Sequence, residues 1–299
     1  MGHIITDLKE AFRRGNVYIQ LIFINVGVFV ITTLISILLQ LFNRSAAGIF
    51  ELLALPASFT RFAWQPWSIF TYMFMHAGFL HILFNMLWLY WFGALFLYFF
   101  SSKHLRGLYI VGGICGGLLY MISYNVFPYF RPMTAYSTMV GASASVLAIV
   151  VATAYREPNY PVRLLFFGNV RLKYLALIVV LTDLLFITSS NAGGHIAHLG
   201  GALAGLWFAA SLNKGKDITS WVNKALDAIA ALFSAKTWKR KPKMKVHYGN
   251  NTRQNDYDYN ARKKAQSDEI DRILDKLKKS GYESLTTEEK KSLFDASKR

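Results

Sequence analysis

The chain is poor in charge and poorer in acid. Asp, Glu, Lys and Arg make up only 17% of its 299 residues, and 17 acidic residues face 33 basic ones. Soluble chains carry charge on about a quarter of their residues, so this shortage argues against an ordinary cytosolic enzyme. The sequence has one cysteine, Cys115, set in an apolar run. That excludes a disulfide framework and a structural zinc site built on several thiolates. No periodic repeat is visible. What abounds is apolar: 54% hydrophobic residues and a mean hydropathy of +0.29, which rules out a disordered chain.

The average conceals two unlike parts. Residues 1–212 hold 12 basic and 5 acidic residues, whereas residues 213–299 hold 21 and 12, so the tail carries +9 of the net +16. The first part is expected to be a membrane domain and the second a water-facing tail. Anionic lipid headgroups are a sufficient partner for the basic residues, and no nucleic acid need be invoked.

A hydrocarbon core of roughly 30 Å takes about 20 apolar helical residues. Six stretches approach that: Tyr18–Phe42, His81–Phe100, Leu105–Tyr124, the shorter Val140–Tyr155, Tyr174–Ser190 and Gly193–Leu212. No secretory signal is expected ahead of them, since Asp7, Glu10, Arg13 and Arg14 lie upstream and the first run is too long for an h-region. Six spans put Lys9, Arg13, Arg14, Lys103, Arg106, Arg156, Arg163, Arg171 and Lys173 on one side and only Arg44, Arg61 and Arg131 on the other. Basic loops stay inside, so both termini are expected to be cytoplasmic. The outer segment from Arg44 to Leu80 is rich in Phe and Trp and is expected in the interface or packed on the bundle. The fifth and sixth spans are joined by a few residues near Asn191 and must be antiparallel neighbours.

In the tail, Asp217–Ala235 has amphipathic helical spacing, expected on the inner membrane surface. Lys236–Lys245 reads as a basic linker and Gly249–Tyr259 as flexible. From Asp268 a helical pattern runs to Gly281, and Thr286 three residues before Glu289 signals the cap of a last helix. The expected organisation is a cytoplasmic segment 1–16, a membrane domain 17–212, an amphipathic helix and linker 213–264, and a small helical module 265–299. The fold class is an all-α polytopic bundle with a small helical tail.

Glycines in the spans, including Gly141, Gly201 and Gly205, suit close helix packing near the polar residues. Polar residues in spans are costly and need a reason. His81 and Asn85 share a face of the second span, Ser143 lies near the start of the fourth, and His198 lies in the sixth. At about 1.5 Å per residue, all four fall within roughly 10 Å of the outer boundary. A serine needs a base to become a nucleophile, a neutral imidazole is a suitable base, and a tetrahedral oxyanion needs fixed donors. Ser143 is the candidate nucleophile and His198 the candidate base, with His81, Asn85 and the Ser143 N–H as donors. Ser145 and His195 are the rivals. Asp183 in the fifth span has no nameable partner, and a neighbouring hydroxyl is the simplest expectation. No metal or cofactor is expected.

These residues sit in "FTYMFMHAGFLHILFNMLWLYWFG" (Phe70–Gly93), "GASAS" (Gly141–Ser145) and "AHLGGALAG" (Ala197–Gly205). In this combination the chain, over about residues 15–212, resembles the rhomboid family of intramembrane serine proteases. The resemblance implies a six-helix bundle that cleaves transmembrane proteins in the lipid bilayer. It implies a Ser143–His198 dyad without a third acid, oxyanion donors His81 and Asn85, and a water-filled cavity open to the outer face. It also implies a multi-pass protein of a bacterial inner membrane. Two positions depart from the family pattern: Ala144 stands where glycine is usual, and Leu147 where an aromatic residue is common beneath the histidine. They keep open a non-catalytic relative that binds transmembrane helices. A transporter or channel is the third class, but no acidic pathway, filter-like loop or repeat supports it. The tail is expected to serve regulation or to dock an unidentified cytoplasmic partner.

Overall fold

The computed structural model describes residues 10, 12, 15–164, 168–232 and 252–297. The chain forms two compact units, Met1–Thr237 and Trp238–Arg299. Lys9, Arg13 and Arg14 and the linker expected at Lys236–Lys245 lie outside the described residues.

In the first unit all six apolar stretches are helices: α1 (Val17–Leu41), then, after the outer segment, α5 (Phe79–Phe99), α6 (Ser102–Val126), α7 (Ser143–Arg156), α8 (Leu172–Leu185) and α9 (Ala192–Asn213). The outer segment holds short helices α2 (Ala47–Leu53), α3 (Phe59–Trp64) and α4 (Ser68–Thr71). Four helices, α1, α5, α6 and α9, are long and apolar enough to cross a membrane. The other two have 14 residues each, about 21 Å at 1.5 Å per residue. Position explains how α7 can be short. Every residue from Ala144 to Ala154 is buried in the bundle, and chain ends at membrane depth are tolerated where protein surrounds them or a cavity is lined.

Glycine sets how closely the helices meet. A methyl group on Gly201 or Gly205 of α9 would land on the carbonyl oxygen of Ala144 or Ala148 of α7. One on Gly200 would meet the Cys115 carbonyl of α6 at 2.6 Å. Backbones in direct contact leave no room for side chains, and this small-residue packing replaces the hydrophobic drive that lipid cannot supply. Buried polar ties lock the layers. Tyr72 donates to the Gly113 carbonyl (2.6 Å), Tyr109 to the Met73 carbonyl (3.0 Å), and Asn25 of α1 to Tyr109 (3.0 Å).

The outer segment packs on the bundle. Strand β1 (Leu55–Pro56) pairs antiparallel with β2 (Thr138–Met139), and Asn125 of α6 donates to the Ala57 carbonyl. This fastens the segment to the chain that leads into α7. Trp64 stays 82% exposed, as an interfacial aromatic would be. One feature was not expected: strands β3 (Pro161–Leu164) and β4 (Gly168–Arg171) form a hairpin between α7 and α8.

After α9, helix α10 (Ser220–Leu232) buries Val222 and Asn223. Arg106 of α6 holds Asn223 at 2.9 Å and Asp227 at 3.2 Å. The amphipathic helix expected on the membrane surface thus turns its buried face to protein, while Trp221 and Ile229 remain half exposed. An arginine reaching two acceptors fixes the helix more specifically than apolar spacing can reveal.

In the second unit, α11 (Thr252–Ser280) packs on α12 (Thr287–Ser297). The stretch expected to be flexible, Gly249–Tyr259, is helical from Thr252. Its apolar stripe begins only at Ile270, and once a helix is nucleated there each further residue adds a backbone hydrogen bond without a new nucleation cost. Gly281, with φ +77°, ends it. The Thr286 hydroxyl accepts from the Glu289 N–H and the Glu289 carboxylate accepts from the Thr286 N–H, a reciprocal cap.

Candidate active site

Gly141 has φ +136°, a conformation that side chains resist, and its N–H donates to the Tyr72 carbonyl at 2.9 Å. A methyl group there would lie 2.9 Å from His81 Nε2 and 3.6 Å from Ser143 Oγ. Glycine therefore turns the chain into α7 and keeps the space between these two side chains open. Ser143 is the first residue of α7 rather than a few residues inside it. Its own N–H is one of the four at a helix start that find no partner within the helix, at the positive end of the dipole.

One cavity of about 680 Å³ is lined by Ser143, His198, His81 and Asn85, together with Trp88, Met139 and Leu147 among others. Four expected site residues from three helices thus face a common space. Ser145, the rival hydroxyl, is buried away from it. His195, the rival base, does not line it and packs its ring against Phe186 at 6.0 Å. The Ser143 hydroxyl and the His198 ring share the cavity without a hydrogen bond between them.

His81 Nδ1 accepts from the Ala77 N–H at 3.4 Å. The ring proton then belongs on Nε2, on the side of Gly141 and Ser143. Asn85 spends one amide proton on the His81 carbonyl at 2.9 Å and keeps its second. His76 packs edge-on against His81 at 5.1 Å. Burial, with His81 adding to it, holds His76 down at about 4, so it is neutral near pH 7 and supports the neighbouring ring by packing.

Asp183 has partners after all. Its Oδ1 lies 2.8 Å from Nδ1 of both His195 and His198. The side chain is 6% exposed, and Oδ2 has no hydrogen-bond partner. An acid therefore sits on the candidate base, where the family resemblance implied none. A signal for it existed in the sequence. A tight α8–α9 connection brings residues before the turn opposite residues after it, so Asp183 falls across from His195 and His198. Sequence reasoning also named no metal site, yet these three residues offer donor atoms within 4.8 Å of one another. As arranged, both Nδ1 atoms are engaged with the carboxylate, which uses their protons and leaves no lone pair there for an ion.

Gly141 lies in the turn into α7, and Gly201 and Gly205 lie in its seam with α9. The Ala144 methyl does not crowd α9, because Gly116 of α6 leaves it room: a Cβ on Gly116 would lie 2.6 Å from that methyl.

Residues 63–214 match a family model described as the rhomboid domain, and residues 254–299 match a family of unknown function (DUF6576). The chain is similar to RHOMBOID-like protein 12, mitochondrial, of Arabidopsis thaliana. The two are 29% identical over 158 residues, which make up 50% of this chain and 47% of that protein. The chain thus spans about half the length of the curated relative it matches.

Proposed function

This chain belongs to the rhomboid family, and on that premise we propose that it is an intramembrane serine endopeptidase that cuts transmembrane segments of other proteins. The observation that carries the reading is that Ser143, His198, His81 and Asn85 line one and the same cavity. Ser143 Oγ attacks the scissile carbonyl while His198 takes its proton. The oxyanion receives the Ser143 N–H, the His81 Nε2–H and the free Asn85 amide proton. His198 returns the proton to the leaving amine. Water entering the cavity then attacks the acyl-enzyme, with His198 again as base. Basic asymmetry orients both termini to the cytoplasm in this reading, in a bacterial plasma membrane, and the C-terminal module serves docking or regulation.

A second reading, a non-catalytic relative that binds transmembrane helices, is favoured by one observation: Ser143 and His198 are not hydrogen bonded. A fluorophosphonate probe separates the two. Labelling of the wild type that disappears in both Ser143→Ala and His198→Ala supports the protease. A wild type that stays unlabelled while binding a transmembrane peptide supports the alternative.

A further inference from the structure

Among the described residues, Asp183 is the only acidic side chain buried in the membrane unit. An ionisable group in a membrane helix is expensive and calls for a function. It sits at the end of α8, and both of its partners come from α9. His195 and His198 are three residues apart on α9, so they share a face, and both present Nδ1 to the same carboxylate oxygen at 2.8 Å. An interhelical tie would need one such bond. Two converge here, and one is made to the imidazole that lines the cavity with Ser143.

We propose that Asp183 is the positioning residue of the candidate base: it holds the His198 ring in the tautomer and orientation that catalysis requires, with His195 steering the carboxylate from the other side. This inference rests on the protease reading above and deepens it. The chemistry follows from the donor inventory. An ionised carboxylate only accepts hydrogen bonds, so the hydrogen bond to His198 Nδ1 keeps the ring proton there and leaves Nε2 as a bare lone pair. That nitrogen can take the Ser143 proton. Without Asp183 the ring can place its proton on Nε2 and rotate, and it is then useless as a base. When His198 becomes an imidazolium, Asp183 offsets the new charge without itself being protonated. His195 holds the same oxygen from its other side, which limits rotation of the carboxylate. Oδ2, unpartnered and buried, makes Oδ1 the working atom. The titratable groups facing His198 are Asp183 from α8, His195 on its own helix, His81 from α5 and Tyr124 of α6 across the cavity.

The test uses the full-length protein in proteoliposomes with a fluorogenic transmembrane substrate. Wild type, Ser143→Ala, Asp183→Asn, Asp183→Ala and Asp183→Glu are compared from pH 5 to 9. The expected result is a loss in kcat on the order of 10²–10⁴-fold for Asp183→Asn, with KM little changed. Asp183→Glu should recover part of the rate, since the carboxylate is retained one methylene further out. With the carboxylate gone, the acidic limb of the residual pH profile should be displaced from its wild-type position. A purely structural tie predicts instead a lower melting temperature with the pH limb unmoved. Asp183→Asn that folds and keeps wild-type kcat and pH limb would overturn the proposal and leave the protease reading standing. Ser143→Ala that cleaves like wild type would overturn both. Wild-type activity lost to a chelator and restored by Zn²⁺ would make the three side chains metal ligands, and would also overturn it. If Asp183→Asn fails to fold, the pH dependence of fluorophosphonate labelling in Asp183→Ala serves in its place: a displaced limb with a slowed rate supports the proposal, and a wild-type limb with a wild-type rate refutes it.

Discussion

The two units of this chain are both helical, yet they are held together by different means. In the membrane unit, helix backbones touch across glycine. Gly201 and Gly205 rest on the carbonyls of Ala144 and Ala148, and long side chains could not stand between them. In the C-terminal unit there is little core. Among its described residues Ile273 and Leu285 are the buried apolar ones, and an ion pair between Lys276 and Glu289 at 2.8 Å joins α11 to the start of α12. Lipid offers no hydrophobic gain for bringing two helices together, so the first unit relies on contact area and buried polar ties. Water offers that gain, but a module this small has few apolar residues to use it, so caps and charges matter more. The first unit should therefore respond to changes of volume and the second to changes of charge.

The comparison is tested most severely at the α7–α9 seam. Gly201→Ala must push the Ala144 carbonyl aside. It should cost about 1–3 kcal/mol of stability and, by displacing Ser143 relative to His198, most of any proteolytic activity. Thermal unfolding in detergent beside a cleavage assay checks both effects. A variant with wild-type stability would show that the seam is not packed by backbone contact.

A smaller effect is expected at Ala144. Its methyl fills the space beside Gly116, and Ala144→Gly should cost about 1 kcal/mol through helix propensity and lost packing while any activity is retained. If the glycine variant instead gained many-fold in rate, the departure from the family pattern would be a functional restraint rather than an accommodated substitution.

The second unit should answer to pH. The bond from Lys276, followed by that from the Thr286 N–H, holds the Glu289 carboxyl below the usual carboxylate range. A group depressed in the folded state contributes stability at pH above its unfolded value, and loses it as pH falls through the folded value. Hydrogen exchange across residues 270–297 of the full chain, expressed as protection relative to the intrinsic rate at each pH, should therefore lose protection on acidification. Glu289→Gln should flatten that dependence and quicken exchange near neutral pH. Equal acid sensitivity in the variant would remove Glu289 as the cause.

The smallest expected effect is on catalysis when the second unit is removed. Deleting residues 238–299 should leave any cleavage of a simple transmembrane reporter largely intact. A folded truncation with no activity would show that the module takes part in the chemistry.

The sequence revealed six helices of the first unit, and the four that are long enough to cross a membrane most clearly, because a 20-residue apolar run has few alternatives in a membrane protein. It also named Ser143, His198, His81 and Asn85 together, since a common depth can be counted along helices, and the four line one cavity. What it hid were relations between helix faces. That Ala144 faces Gly116 depends on how α6 rotates against α7, which hydropathy does not record. Asp183 was within reach, because the short turn between α8 and α9 places it opposite His195 and His198, but that geometry must be drawn before it shows. The β3–β4 hairpin was hidden by its mixture of basic and apolar residues, which reads equally well as a loop. The extension of α11 back to Thr252 was hidden because exposed polar helix carries no periodic signal.

On the protease reading, the Ser143 hydroxyl, activated by His198, is the nucleophile of this cavity. Mass spectrometry of the intact protein after fluorophosphonate treatment tests it most directly. One adduct is expected, mapped to Ser143 and absent from both Ser143→Ala and His198→Ala. An adduct on Ser145, or one that survives His198→Ala at an unchanged rate, would contradict it.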